Sequence, residues 1–188
     1  MSVKGLRVAF AGASGTGKTS LARYVAETYQ IAMNPIGSRQ VAAAMGFASP
    51  YDVDKAGKRA EFQRRLLEEK YTWEKQNDAF VTDRTFADNL TYTALHDVYS
   101  IDEQTTDWVA RGLAHYSHVF FCTMSSFFNL GNDPMRVQTR AYHEVFERCL
   151  MGILQPGLSR DARYYWFLPG FDTLEKRQDF VKDAIGPR

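Results

Sequence analysis

Gly12-Ala13-Ser14-Gly15-Thr16-Gly17-Lys18-Thr19 is the stretch that decides the fold. It fits G-x-x-x-x-G-K-[ST] at every fixed position. Leu6–Ala11 before it is an apolar run of the length of a buried strand, and after it Leu21, Tyr24, Val25 and Thr28 recur at helical spacing. Strand, glycine-rich turn and helix in that order build a cup for an anion. The glycines let the backbone turn sharply with its N–H groups facing inward. The following helix adds about half a positive charge at its N-terminus.

The rest of the chain is read outward from this loop. At 188 residues the chain suits one domain, taken as residues 1–188, since domains average ~150 residues. Lys and Arg number 23 against 22 Asp and Glu, a net charge of +1, which argues against a polybasic nucleic-acid binder but leaves room for a local basic cleft. With 45% hydrophobic and 24% charged residues, intrinsic disorder and collagen are excluded. Two cysteines, Cys122 and Cys149, are too few for a disulfide scaffold, so a reducing cytoplasm is the expected setting. Met1–Arg7 contains no signal-peptide core. The long uncharged stretch between Arg111 and Asp133 is interrupted by His115, Ser117, His118, Ser125, Ser126 and Asn129, which fits a buried strand with loops and not a membrane span.

Helix and strand patterns alternate, the signature of an α/β layered fold. Further strands are expected at about 33–36, at 79–82 ending on Asp83, at 118–124 and at 164–168. Helices are expected at about 39–45, 54–76, 86–97, 103–114, 133–154 and from Asp172 onward. In the 54–76 helix Phe62, Leu66 and Trp73 should face inward. Glu61/Arg65, Arg64/Glu68, Arg65/Glu69 and Lys70/Glu74 should form an exposed, salt-bridged face. Asp133-Pro134 reads as an N-cap followed by a first-turn proline, and Asp172-Thr-Leu-Glu175 as a capping box.

The cup suits a nucleotide polyphosphate. Gly12, Ala13, Ser14, Gly15, Thr16, Gly17, Lys18, Thr19 and Ser20 are then the nucleotide-binding candidates. Lys18 would reach the β- and γ-phosphates of ATP, and the Thr19 hydroxyl would hold Mg²⁺. Kinase, GTPase switch and ATP-driven motor share such a loop. The guanine-reading N-K-x-D is absent, and Asp54-Lys-Ala-Gly57 lacks the apolar strand that precedes a switch D-x-x-G. Asp83 is followed by Arg84 and not by the second acid of a motor, so a small kinase remains.

Asp83 closes an apolar run and should stand at a strand's C-terminal end, where ligand crevices of doubly wound sheets lie. It could bind Mg²⁺ or accept the proton of an attacking hydroxyl. Arg84 could grip an acceptor hydroxyl or the transferring phosphoryl group, with Asp88 orienting it or touching substrate; strand-end and i,i+4 ion pairs are the plainer accounts. Arg136 and Arg140 fall in the first turns of the helix expected from Asp133, where positive charge costs about 0.3–1 kcal/mol each. A lid of about residues 129–142, hinged at Gly131-Asn132, would give these arginines a role on the transferring phosphate; a solvated arginine face is the plainer account. Arg39 follows the second expected strand, a region that in small kinases often meets the phosphate acceptor; a surface arginine is an equally good reading. His96, His115, His118 and His143 show no zinc-ligand arrangement. Phe127, Phe128, Tyr142 and Tyr164 could stack on a base, with core packing as the alternative.

The loop at 12–19, Asp83-Arg84-Thr85 with Asp88 and Tyr92, and the arginine-bearing segment after Asp133 resemble the small P-loop kinases grouped with ribosylnicotinamide kinase. That group is also described as an AAA-like ATPase/kinase domain and is common in bacteriophages. The resemblance implies a P-loop NTPase fold with a five-stranded parallel sheet, flanking helices and a short helical lid. It also implies transfer of the γ-phosphoryl of ATP, with Mg²⁺, to a hydroxyl of a nucleoside or nucleotide. Many relatives carry a Glu ahead of the Arg that Arg39 would match; Ile36-Gly37-Ser38 has none, which moves the base role toward Asp83. A phage branch phosphorylates 5-hydroxymethyluracil within DNA, so modified DNA is an alternative acceptor. An ATP-hydrolysing regulator without an acceptor is a second alternative. No membrane partner is expected, and a homodimer is one possible assembly.

Overall fold

The structure, a computed structural model, describes residues 4–133, 137–160, 163–167 and 170–186. Five strands form one sheet: β1 Arg7–Ala11, β2 Ala32–Met33, β3 Phe80–Asp83, β4 His118–Phe121 and β5 Tyr164–Trp166. All pairings are parallel, in the order β2-β3-β1-β4-β5. The helices are α1 Lys18–Tyr29, α2 Ser38–Ala44, α3 Pro50–Lys55, α4 Arg59–Lys75, α5 Phe86–His96, α6 Glu103–His115, α7 Arg140–Arg160 and α8 Leu174–Ile185, with a 3₁₀ turn at Val98–Ser100.

The strands are mostly apolar along their length because they are covered on both sides. Val8, Ala9, Phe10 and Ala11 are all fully buried, as a central parallel strand requires. Alternation along β1 sorts the two layers. Val8 and Phe10 join Leu21 and Val25 of α1, Phe120 of β4 and Val181 of α8. Ala9 turns to the opposite face, with Leu67 of α4, Phe86 of α5 and Val109 of α6. Ala11 shares that face with Phe146 and Leu150 of α7. The layering brings the C-terminal ends of β1 and β3 side by side, with Phe10 opposite Asp83.

Five local expectations are corrected. The helix expected over 54–76 is two helices. Ser49 caps α3 by accepting the Asp52 N–H, with Pro50 at the first helical position. A Schellman motif then ends α3: the Lys58 N–H bonds Val53 O and the Gly57 N–H bonds Asp54 O, both at 3.0 Å, with Gly57 at φ +66°. Lys70 and Glu74 are not an exposed pair but are buried, 2.5 Å apart, behind β3. The strand expected over 118–124 stops at Phe121; the Cys122 N–H still bonds Ala11 O at 2.8 Å, and the chain turns at Met124–Ser126.

The helix expected from Asp133 begins at Arg140. Val137–Thr139 are not helical, His143 Nε2 lies 2.7 Å from Val137 O, and the Asp133 carboxylate is engaged by Arg39 instead of capping. Arg136 and Pro134 lie outside the described residues, and Arg140 is the first residue of α7. The last helix is capped by Thr173, whose side chain accepts the Lys176 N–H, while Asp172 pairs with the Lys176 ammonium at 2.7 Å.

Candidate active site

The loop between β1 and α1 has the conformation its glycines allow. Gly12 has φ +141°, and a Cβ there would stand 2.4 Å from the carbonyl oxygen of Cys122 at the end of β4. Any side chain at Gly12 would drive the first and fourth strands apart. Gly17, at φ +80°, is the N-cap of α1 and provides no side chain to cap it. The first turn of α1 holds no acidic residue either. Its leading amides are therefore left to an external acceptor, the condition for an anion site.

Lys18 folds over this loop. Its ammonium donates to Ala13 O at 2.5 Å and to Thr16 Oγ1 at 3.3 Å, and only 5% of the residue is exposed. Burial, and after it the Arg84 guanidinium, lower its pKa from 10.5 to about 8. Ser14, Gly15, Gly17 and Thr19 are half-buried, while Ser20 is exposed in the first turn of α1.

The hydroxyl of Thr19 donates to the carboxylate of Asp83 across the β1–β3 seam. Two hard oxygen donors thus meet at the rim of the cup, a donor set suited to Mg²⁺, which takes one or two protein oxygens and completes its shell with phosphate and water. Among the described residues no group of three or more His, Cys, Asp or Glu side chains could hold a metal.

Arg84 follows at once with φ +130°, a conformation costing a non-glycine residue on the order of 1–3 kcal/mol. The surroundings over-determine it. Thr82 Oγ1 donates to Arg84 O at 3.2 Å while accepting from the buried Lys70 ammonium at 2.5 Å. Lys70 is held in turn by Glu74, which also accepts from Asn34 Nδ2 at 3.0 Å. On the other side a capping box joins Thr85 and Asp88 at the start of α5. The strained turn swings the Arg84 side chain over the loop: Nη2 donates to Ser14 Oγ at 3.1 Å, and Nη1 to Asp88 at 3.3 Å. The guanidinium also lies 5.0 Å from the centre of the Tyr92 ring. Asp88, fully buried, accepts from the Gly12 amide at 3.2 Å and from the Thr85 amide and hydroxyl at 2.9 and 2.7 Å.

Lys18, Thr19, Asp83, Arg84 and Asp88 thus converge on one cup. Arg39 and Arg140 do not. Arg39 Nη2 pairs with Asp133 at 2.5 Å. Arg140 pairs with Glu144 at 2.9 Å and lies 5.4 Å from the Phe128 ring. Among the aromatic candidates, the Tyr142 hydroxyl is 2.8 Å from His96 Nε2, and Phe128 and Tyr164 pack against the core beneath α7.

Sequence reasoning missed Arg177. It is 1% exposed and donates from Nη1 to Thr16 O at 2.6 Å. A signal was present: Arg177 occupies the position on α8 that precedes Val181 and Ala184 on the apolar face. It also missed Glu147 of α7, which accepts the Met124 N–H at 2.6 Å and whose pKa burial raises against that hydrogen bond.

Among curated protein sequences none matches this chain significantly. Solved structures do. NadR protein in complex with NAD and AMP-PNP is 15% identical with a TM-score of 0.67, over 96% of this chain and 48% of that one. The present chain thus spans about half the length of NadR. Deoxyadenosine kinase from M. mycoides with bound dCTP is 12% identical with a TM-score of 0.66, over 96% and 98% of the two chains. Thymidylate kinase from Candida albicans is 14% identical with a TM-score of 0.62, over 97% and 91%. At these identities the likeness establishes a shared fold, the P-loop kinase-like sheet and helices described above. The AAA domain family AAA_28 matches residues 7–157, a span that holds the loop, Asp83, Arg84 and Asp88, and the chain belongs to that family.

Proposed function

We propose that the chain is an ATP-dependent kinase that transfers the γ-phosphoryl group to a hydroxyl of a nucleoside- or nucleotide-type acceptor. The observation that carries this reading is the hydrogen bond from Thr19 to Asp83 at the rim of the glycine loop. It joins the loop to a carboxylate on the neighbouring strand. Mg²⁺, held by Thr19 and Asp83, would supply charge neutralisation on the bound phosphates. The contact with Thr19 supports the metal-side role for Asp83 over that of general base.

The chain's own residues do the rest by position and charge, which is most of what phosphoryl transfer needs. The amides at the start of α1 bind phosphate oxygens. Lys18 exchanges its bonds to Ala13 and Thr16 for bonds to phosphate. Arg84, fixed between Ser14 and Asp88, places a guanidinium at the border between loop and acceptor crevice. The Tyr92 ring beneath that guanidinium supports an acceptor with a planar ring. Residues 129–142 serve as the lid: Asn129 donates its N–H to Gly15 O at 2.8 Å, and Asp133 reaches Arg39 of α2. The segment therefore touches both the glycine loop and α2, and the lid role for Arg136 and Arg140 belongs to its closure.

The test is transfer of label from γ-labelled ATP to a panel of nucleosides, nucleoside monophosphates and DNA containing 5-hydroxymethyluracil. A labelled acceptor is expected with the wild type and none with Lys18→Ala. Label on the DNA alone selects the DNA-kinase reading. Phosphate release with no labelled acceptor refutes the kinase and leaves an ATP-hydrolysing regulator.

A further inference from the structure

Two carbonyls of the glycine loop are pinned from outside it. Gly15 O accepts the Asn129 amide, and Thr16 O accepts Arg177 Nη1 at 2.6 Å. A peptide unit is planar and trans, so its C=O and N–H point in opposite directions. Holding the Thr16 carbonyl toward α8 therefore aims the Gly17 amide away from α8.

The rest of the Arg177 guanidinium is unusual. It lies 4.4 Å from the centre of the Phe167 ring and 5.7 Å from that of Phe127. Nε and Nη2 are buried with no hydrogen-bond partner among the described residues. Burial is the largest influence on its pKa and lowers it, and among the described residues the side chain that opposes this is Cys122, through electrostatics and a weak thiol contact. Cys122 is itself no counter-charge, because burial pushes its thiol up to about 12. A buried guanidinium without an opposing charge is expensive to keep. It stands one peptide from a loop shaped for a polyanion, in surroundings too dry to screen it.

We propose that Arg177 is a positioning residue for the nucleotide, which aims the Gly17 amide at the phosphates and contributes a positive charge that the polyphosphate neutralises. The inference rests on the nucleotide-binding reading of the loop. It predicts an opposition that a packing role does not. Removing the charge should relieve the protein without nucleotide and weaken the complex.

Arg177→Met keeps an apolar stem between Phe127 and Phe167, and Arg177→Lys keeps the charge. Binding of AMP-PNP with Mg²⁺ is measured by calorimetry, and the unfolding midpoint without nucleotide by thermal melting. Arg177→Met should raise the dissociation constant about 10- to 100-fold, the loss expected for one charge-assisted hydrogen bond. Its midpoint should be unchanged or higher, and Arg177→Lys should recover part of the affinity. Wild-type affinity in Arg177→Met overturns the proposal. So does a lowered midpoint in both variants with no gain in affinity from lysine, which would make Arg177 a packing residue. A wild-type protein that binds no AMP-PNP defeats the nucleotide-binding reading itself.

Discussion

Replacing Asp88 by alanine should cost both stability and nucleotide binding, and the size of the loss follows from what the carboxylate holds. Asp88 is fully buried and accepts from the Gly12 and Thr85 amides, the Thr85 hydroxyl and the Arg84 guanidinium. Alanine removes the reciprocal half of the capping box, which is the acceptor of the Thr85 N–H and is counted with that amide. It also leaves the Gly12 and Thr85 amides buried without acceptors, at about 1–2 kcal/mol each. Arg84 is partly exposed, so water replaces its lost bond and it is left out of the sum. The total is about 2–4 kcal/mol, a large share of the 5–15 kcal/mol that typically holds a domain together. At about 2–4 °C per kcal/mol for a chain of this size, the melting midpoint should fall by about 4–16 °C. Asp88→Asn is the sharper variant. It keeps the volume but offers one acceptor oxygen, and its amide turns donors toward Arg84 or Thr85. It should fold and yet bind nucleotide more weakly, because Gly12 and Arg84 lose a common anchor. Thermal melting and calorimetry with AMP-PNP check both. A midpoint for Asp88→Ala within 2 °C of wild type, below the smallest shift expected from even one kcal/mol, would refute the argument that this carboxylate ties the loop to α5.

Lys18 sets a pH dependence with a definite sign. Its folded pKa of about 8 lies below the ordinary 10.5, so the unfolded chain binds more protons between these values and stability rises with pH across that window. Lys18→Met should therefore be more stable than wild type below pH 8, by about 3 kcal/mol, with the gap closing toward pH 10.5. Nucleotide affinity of the wild type should fall over the range in which Lys18 loses its proton; equal pH profiles for the two proteins in urea melts would contradict this. Gly112→Ala tests the α5–α6 contact, since the new Cβ would stand 2.1 Å from the buried Phe86 ring. Overpacking costs about 1–3 kcal/mol, more than the roughly 1 kcal/mol of helix propensity alanine returns at its upper end, so the midpoint should drop; an unchanged midpoint would show that Phe86 can move aside.

The elements that were legible early are those whose cause is local. β1 and α1 flank the loop as their patterns indicate, and α5 begins at Phe86, where the sequence places a helix. Where the reading failed, a distant partner decided in most cases, though not in all. The Schellman turn at Gly57 uses only nearby residues, but the charge pattern on both sides conceals it by continuing in helical register. Lys70 and Glu74 look solvent-exposed by i,i+4 spacing. They are buried because β2 and β3 lay Asn34 and Thr82 beside them. Asp133 resembles a helix cap until Arg39, 94 residues away, takes its carboxylate.

The sequence alone determined the glycine cup, because eight consecutive residues supply both the positive φ angles and the helix N-terminus that an anion needs. It also determined the parallel sheet, since buried runs separated by helical patterns admit few other layerings. Only the tertiary structure decided which charges face that cup. Thr19 and Asp83 meet because β1 and β3 are neighbours in the sheet, the Arg84 turn is held strained by a lysine from α4, and Arg177 arrives from 161 residues away. Chain order does not encode such meetings, because burial and strand pairing fix them only when the layers close over one another.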